Sequence, residues 1–188
     1  TGIALLVASS AFAAPLSYNA DLSHSEIGFK VKHMVISTTS GQFDKFDGKI
    51  VWDAEDFKNS KMDVTLQVAS VNTNDEKRDK HLRADDFFNA AKYPTIKFVS
   101  DTFEKDGKNF VVTGKLTIKD VTKEIKIPFT ASQEIQDPWG MKRMGLEGEF
   151  TINRKDYNIK LGAVMDNGGL MGSEEVKKEI SVEAVRKP

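Results

Sequence analysis

The sequence predicts an all-β domain of antiparallel strands, closed as a barrel or folded as a sandwich, with one short helical insertion. Three observations carry this reading. Apolar and polar residues alternate with period two along most of the chain, as in strands with one buried and one solvated face. Asp-Gly, Asn-Gly and Asp-Pro pairs punctuate the alternating runs. The chain has 188 residues, with 12 Phe, 2 Trp and 3 Tyr, enough for one full core in a single domain. It has no Cys, which excludes disulfides, thiolate metal sites and Cys nucleophiles together. A net charge of −1 argues against a basic nucleic-acid binder.

The first 20 residues carry no charge, although 29% of the chain is charged. An apolar run begins at Ile3 and continues to Ala13. It is too short to span a bilayer, which takes about 20 apolar residues. Ala11-Phe12-Ala13 is a small-x-small site with Pro15 just beyond. Residues 1–13 therefore read as the end of a secretory signal peptide, and residues 14–188 as one exported domain without a transmembrane span. The competing reading is an N-terminal strand or buried helix.

The strands follow in order. Ile27, Phe29 and Val31 alternate with Lys30 and Lys32. A less strictly patterned strand covers residues 48–52. Met62, Val64, Leu66 and Val68 alternate with Asp63, Thr65 and Gln67, and Ile96 and Phe98 flank Lys97. Phe110, Val112, Leu116 and Ile118 form one face of a long strand. Ile125, Ile127 and Phe129 alternate with Lys126 and Pro128, and the proline marks an edge or a bulge. Met144, Leu146, Phe150 and Ile152 make the next strand; Ile180, Val182 and Ala184 make the last. Asp106-Gly107 and Lys119-Asp120-Val121-Thr122 read as hairpin turns. Gly28, Gly114 and Gly148 are assigned to apolar faces, where glycine marks a bend or space for something else. Three such positions favour strongly curved, barrel-like strands.

The insertion has a different texture. Thr73 and Glu76 have capping-box spacing, and residues 75–83 read as a helix, acidic at its start and basic at its end. Asp85 is placed to cap a second turn carrying Phe87 and Phe88, and Pro94 returns the chain to a strand.

No G-x-S-x-G, H-E-x-x-H, P-loop or G-x-G-x-x-G motif occurs. The glycine-rich residues 168–172 read as a loop rather than a phosphate cradle. His24, His33 and His81 lack ligand spacing, so neither a metal nor a cofactor is expected.

Several segments together resemble a known family. His24-Ser25-Glu26-Ile27-Gly28-Phe29-Lys30-Val31-Lys32-His33 looks like the first barrel strand of the YceI-like proteins. Gly41-Gln42-Phe43-Asp44-Lys45-Phe46-Asp47-Gly48 resembles their next motif. Arg78-Asp79-Lys80-His81-Leu82-Arg83 with Asp86-Phe87-Phe88 resembles their helical signature. Lys92-Tyr93-Pro94-Thr95-Ile96-Lys97-Phe98, Asp137-Pro138-Trp139-Gly140 and Ile152-Asn153-Arg154-Lys155-Asp156 continue the series in order. The family often has Phe-Gly where this chain has Tyr157-Asn158; Asn tolerates the left-handed region, so the turn is expected to survive. The resemblance implies an extended, eight-stranded, lipocalin-like antiparallel barrel. It implies periplasmic or secreted proteins, often dimers, that bind polyisoprenoids or fatty-acid-like lipids, and it carries no catalytic residues.

The primary reading is thus a carrier holding a long apolar chain in the barrel lumen. The expected wall residues are Phe29, Val31, Met62, Val64, Leu66, Phe98, Leu116, Ile118, Ile127, Phe129, Leu146 and Phe150. Alternation alone leaves open whether these line a cavity or fill a solid core. Arg78, His81 and Arg83 are the candidate headgroup contacts at the mouth, with Phe87 and Phe88 as a plug. The alternatives are an enzyme acting on a lipid or quinone-like substrate, with His33 as its polar group, or a stress-related interaction protein using its outer surface.

Overall fold

A computed structural model describes residues 14–34, 36–159 and 172–188. Residues 1–13, read above as a leader, and most of the glycine-rich stretch lie outside these described residues. The elements, in chain order, are β1 (Leu16–Ala20), β2 (Glu26–His33), β3 (Ser37–Phe43), β4 (Phe46–Trp52), β5 (Lys61–Gln67) and β6 (Val71–Asn72). The helix α1 (Glu76–Arg83) follows, then β7 (Thr95–Asp106), β8 (Asn109–Ile118), β9 (Val121–Ala131), β10 (Ile135–Gln136), β11 (Lys142–Asn153) and β12 (Gly172–Arg186).

These strands make eight antiparallel staves. β1 and β2 form one broken stave, both pairing with β12. β3 and β4 form the second, against β2 and β1 respectively. β5 and β6 form the third, against β4 and β3. β7, β8, β9, β11 and β12 complete the circuit. β11 and β12 close it with a ladder running from Lys142↔Arg186 to Asn153↔Glu175. The barrel alternative of the sequence reading is therefore the fold. Closure leaves the apolar face of each stave nowhere to point but inward.

The turns follow their chemistry, with one shift. Asp106 pairs with Asn109, so the two-residue loop is Gly107-Lys108, with Gly107 at φ +60°. Glycine at the first central position suits a tight turn whose twist matches the strands. Asn158 adopts φ 55° and ψ 28° at the end of a 3-10 turn, as the Asn-for-Gly departure required.

The glycines divide. A Cβ at Gly114 would lie 2.5 Å from the Val99 carbonyl and 2.6 Å from Cζ of Phe98. The absent side chain gives the Phe98 ring its place, next to a bulge in β7 between Ser100 and Thr102. Gly114→Ala is expected to cost about 2 kcal/mol, because backbone and ring must both move; urea denaturation measures it, and an unchanged midpoint would contradict this packing. Gly28 corrects its assignment: a Cβ there would meet Oε1 of Glu26 at 3.1 Å, on the face opposite Ile27 and Phe29.

The insertion is also corrected in detail. Asp75, not Thr73, caps α1, accepting the Arg78 N–H at 3.0 Å. Thr73 instead donates its hydroxyl and its N–H to buried Asp79, at 2.6 and 2.9 Å. A buried carboxylate needs donors, and that demand outcompetes the capping box. After α1 the chain makes the turn that carries Phe87 and Phe88, and Phe88 donates its N–H to the Leu82 carbonyl.

Candidate functional site

Two aromatic clusters stopper the barrel. At the end carrying α1, Phe29 packs on Phe43 at 5.8 Å, and Phe43 on Phe88 at 6.2 Å, between ring centroids. Toward the other end, Trp52 gathers Phe57, Phe103, Phe110 and Phe129, the nearest being Phe110 at 5.0 Å. Edge-on aromatic packing of this kind adds to plain area burial. Along the β3–β4 stave, Phe43 and Trp52 belong to different clusters. Between them Phe46, Gly48 and Ile50 face open space.

That space is a slender apolar cavity of about 100 Å³. Its wall takes in all twelve residues named from the alternation except Phe29 and Val31. Phe29 lies in the stopper cluster, over Gly41, where a Cβ would come within 2.5 Å of its ring. Ile27, Ile50, Ile96, Val112, Ile125, Ile180 and Val182 also line the wall. Period two reaches them by the same argument.

The cavity approaches the surface at a seam. β9 and β11 share only three pairs, Leu146↔Ala131, Glu147↔Thr130 and Gly148↔Phe129. The next residue of β9 is Pro128, which has no N–H to offer the ladder. Beyond it the two strands form no pairs among the described residues. Ile125, Gly148 and Phe150 on the seam are half-buried, and exposed Glu147 stands on the cavity's rim. Pro128 therefore creates an edge inside a closed barrel.

The expected headgroup residues are tied up elsewhere. Arg78 donates from Nε to the Thr73 hydroxyl at 2.7 Å and from Nη2 to the Thr73 carbonyl at 2.8 Å. Arg83 reaches the Val71 carbonyl at 3.4 Å, and His81 pairs with Asp86 at 3.0 Å. None of the three lines the cavity, and neither does Phe87, Phe88 or His33. Asp21, His24 and Glu183 bring three metal-type donors together, but Arg143 already bonds both Asp21 and Glu183.

The residue the sequence reading missed is Lys178. It sits on β12 in phase with Val176, Ile180 and Val182, so its stem enters the lumen. The signal was present: stepping back by two from Ile180 lands on Lys178. Lys178 is half-buried and lines the cavity. Burial among apolar side chains pulls its ammonium from 10.5 down to about 8. Between those values the unfolded chain binds more protons than the folded one, so the empty barrel should gain stability as pH rises from 8 toward 10.5. Urea titrations across that window should show the gain in the wild type and a flatter response in Lys178→Met. Identical slopes would contradict the burial.

Comparison with known proteins agrees with this architecture. Residues 18–184 match the YceI-like domain. A UPF0312 protein of Photorhabdus laumondii subsp. laumondii is 41% identical over 185 residues, spanning 98% of this chain and 93% of that protein. The crystal structure of Burkholderia cenocepacia BcnA superposes with a TM-score of 0.76 at 27% identity, covering 89% of this chain and 99% of its own. A polyisoprenoid binding domain from Saccharophagus degradans shares the fold at a TM-score of 0.65 and 17% identity, covering 91% of this chain and 98% of its own. The chain belongs to the YceI-like family.

Proposed function

We propose that this protein is an exported carrier of a long apolar lipid, a polyisoprenoid, isoprenoid quinone or fatty-acid-like chain, held inside the barrel. The observation that carries this reading is the apolar cavity between two aromatic stoppers. Each methylene moved from water into such a wall contributes about 0.8 kcal/mol, so a long chain binds without a specific hydrogen bond. The Saccharophagus degradans neighbour, described as polyisoprenoid binding, supports the ligand class. The seam beside Pro128 supplies a lateral route for a flexible chain. The leader-like residues 1–13 support export to the periplasm or beyond.

An enzyme reading fits less well. Among the described residues, the only ionisable side chains lining the cavity are Glu147 on the rim and Lys178, and they form no hydrogen-bonded acid–base pair. The test is uptake of geranylgeraniol by delipidated protein, read by native mass spectrometry. A one-to-one adduct is expected; a protein that takes up neither prenyl nor acyl lipid is no carrier.

A further inference from the structure

Among the described residues, the lumen is apolar on every side except at Lys178 and, on its rim, Glu147. In register, Lys178 stands opposite Phe29 on β2 and Phe150 on β11. Its ammonium lies 5.0 Å from the Phe29 ring centroid and 5.8 Å from that of Phe43. Aromatic faces attract a cation but do not neutralise it. Among the described residues no carboxylate comes within ion-pair distance of it, although Lys30, Lys123, Lys155 and Lys177 all find one. Its outward neighbours Lys177 and Glu179 belong to the solvent-side ion pairs, on the other face of β12. A buried cation left without an anion is costly, and a carrier with a purely apolar cargo gains nothing from retaining it.

We propose that the lumen is built for an acidic amphiphile, a long apolar chain ending in a carboxylate or phosphate, whose anionic group pairs with Lys178 inside the barrel. This rests on the carrier reading and adds to it the sign of the headgroup and its position. The headgroup is drawn in beside the Phe29–Phe43 cluster rather than held outside by the arginines of α1. The chain then runs along the wall from Phe150 past Leu146, Ile180 and Val182. An anion arriving at Lys178 forms a charge-assisted hydrogen bond in a dry site, where such bonds are strongest. Desolvation already weakens the lysine's hold on its proton, and the ligand's charge would restore it.

The test compares oleate with oleyl alcohol, equal in chain and different in charge, on delipidated full-length protein. Acetate and inorganic phosphate serve as chainless anions. The wild type should bind oleate at least about tenfold tighter than the alcohol, a difference of one charge-assisted bond. Lys178→Met should remove that preference while still binding oleyl alcohol, and Lys178→Arg should keep most of it. Acetate and phosphate should displace neither lipid, which assigns the anion to the lipid's own headgroup. Equal affinity for oleate and oleyl alcohol in the wild type would overturn the proposal, as would a preference that survives Lys178→Met. Displacement of oleate by acetate or phosphate alone would also overturn it, since the site would then be one for free anions. Failure to bind either lipid would instead count against the carrier reading itself.

Discussion

Replacing Leu116 by Trp is expected to lower lipid uptake by at least about tenfold while the barrel still folds. Leu116 lies on β8, 7% exposed, and its side chain faces the cavity between Phe98 on β7 and the β9 wall. An indole there occupies the path of the ligand chain. Because space already exists, the added volume costs only about 1–3 kcal/mol in overpacking. The neighbouring Lys115→Trp supplies the control. Lys115 is exposed on the outer face, so the same side chain added there leaves uptake unchanged. Uptake of geranylgeraniol by the two variants, with circular dichroism to confirm the fold, decides the matter. Unaltered binding by folded Leu116→Trp would show that the ligand lies elsewhere.

Arg154→Ala is expected to produce the largest loss of stability, about 3–5 kcal/mol. Arg154 is only 4% exposed and has no carboxylate partner at ion-pair distance among the described residues. Its guanidinium instead serves three backbone carbonyls, Ser173 at 2.9 Å, Ile159 at 3.1 Å and Gly172 at 3.4 Å. It thus pins the 3-10 turn after β11 to the start of β12. Truncation strands those three acceptors and leaves a void. Burial lowers the guanidinium's hold on its proton, yet arginine stays charged at neutral pH. Arg154→Lys keeps a cation but loses the planar fork, so it should recover only part of the stability. Urea denaturation measures both; a loss under about 1 kcal/mol for Arg154→Ala would contradict this role.

The long staves were legible because closure makes burial alternate strictly. Phe110, Val112, Leu116 and Ile118 of β8 are all buried, as their spacing required. β3 was not legible. Its sequence, Ser-Thr-Thr-Ser-Gly-Gln-Phe, buries only Phe43, and it becomes a strand because β2 offers it a ladder from Gly28↔Gln42 to His33↔Ser37. β1 was obscured because it lies within the uncharged first 20 residues. Pro128 was read as an edge or a bulge; that it ends the β9–β11 ladder depends on topology, which spacing does not encode. Lys178 was passed over for a physical reason: lysine on a strand ordinarily marks the solvent side, and only its parity with Ile180 and Val182 places it inside. The arginines of α1 looked like ligand contacts because a cluster of cations says nothing about whether backbone carbonyls will claim them, as Thr73 and Val71 do here.

A carrier barrel holds its lipid in the lumen. The most direct measurement is native mass spectrometry of protein purified without detergent, followed by solvent extraction and identification of what is released. One apolar-chain lipid per protein is expected, lost on extraction and taken up again by the empty chain. A protein that is always recovered empty, and stays empty when offered prenyl alcohols and fatty acids, would contradict it.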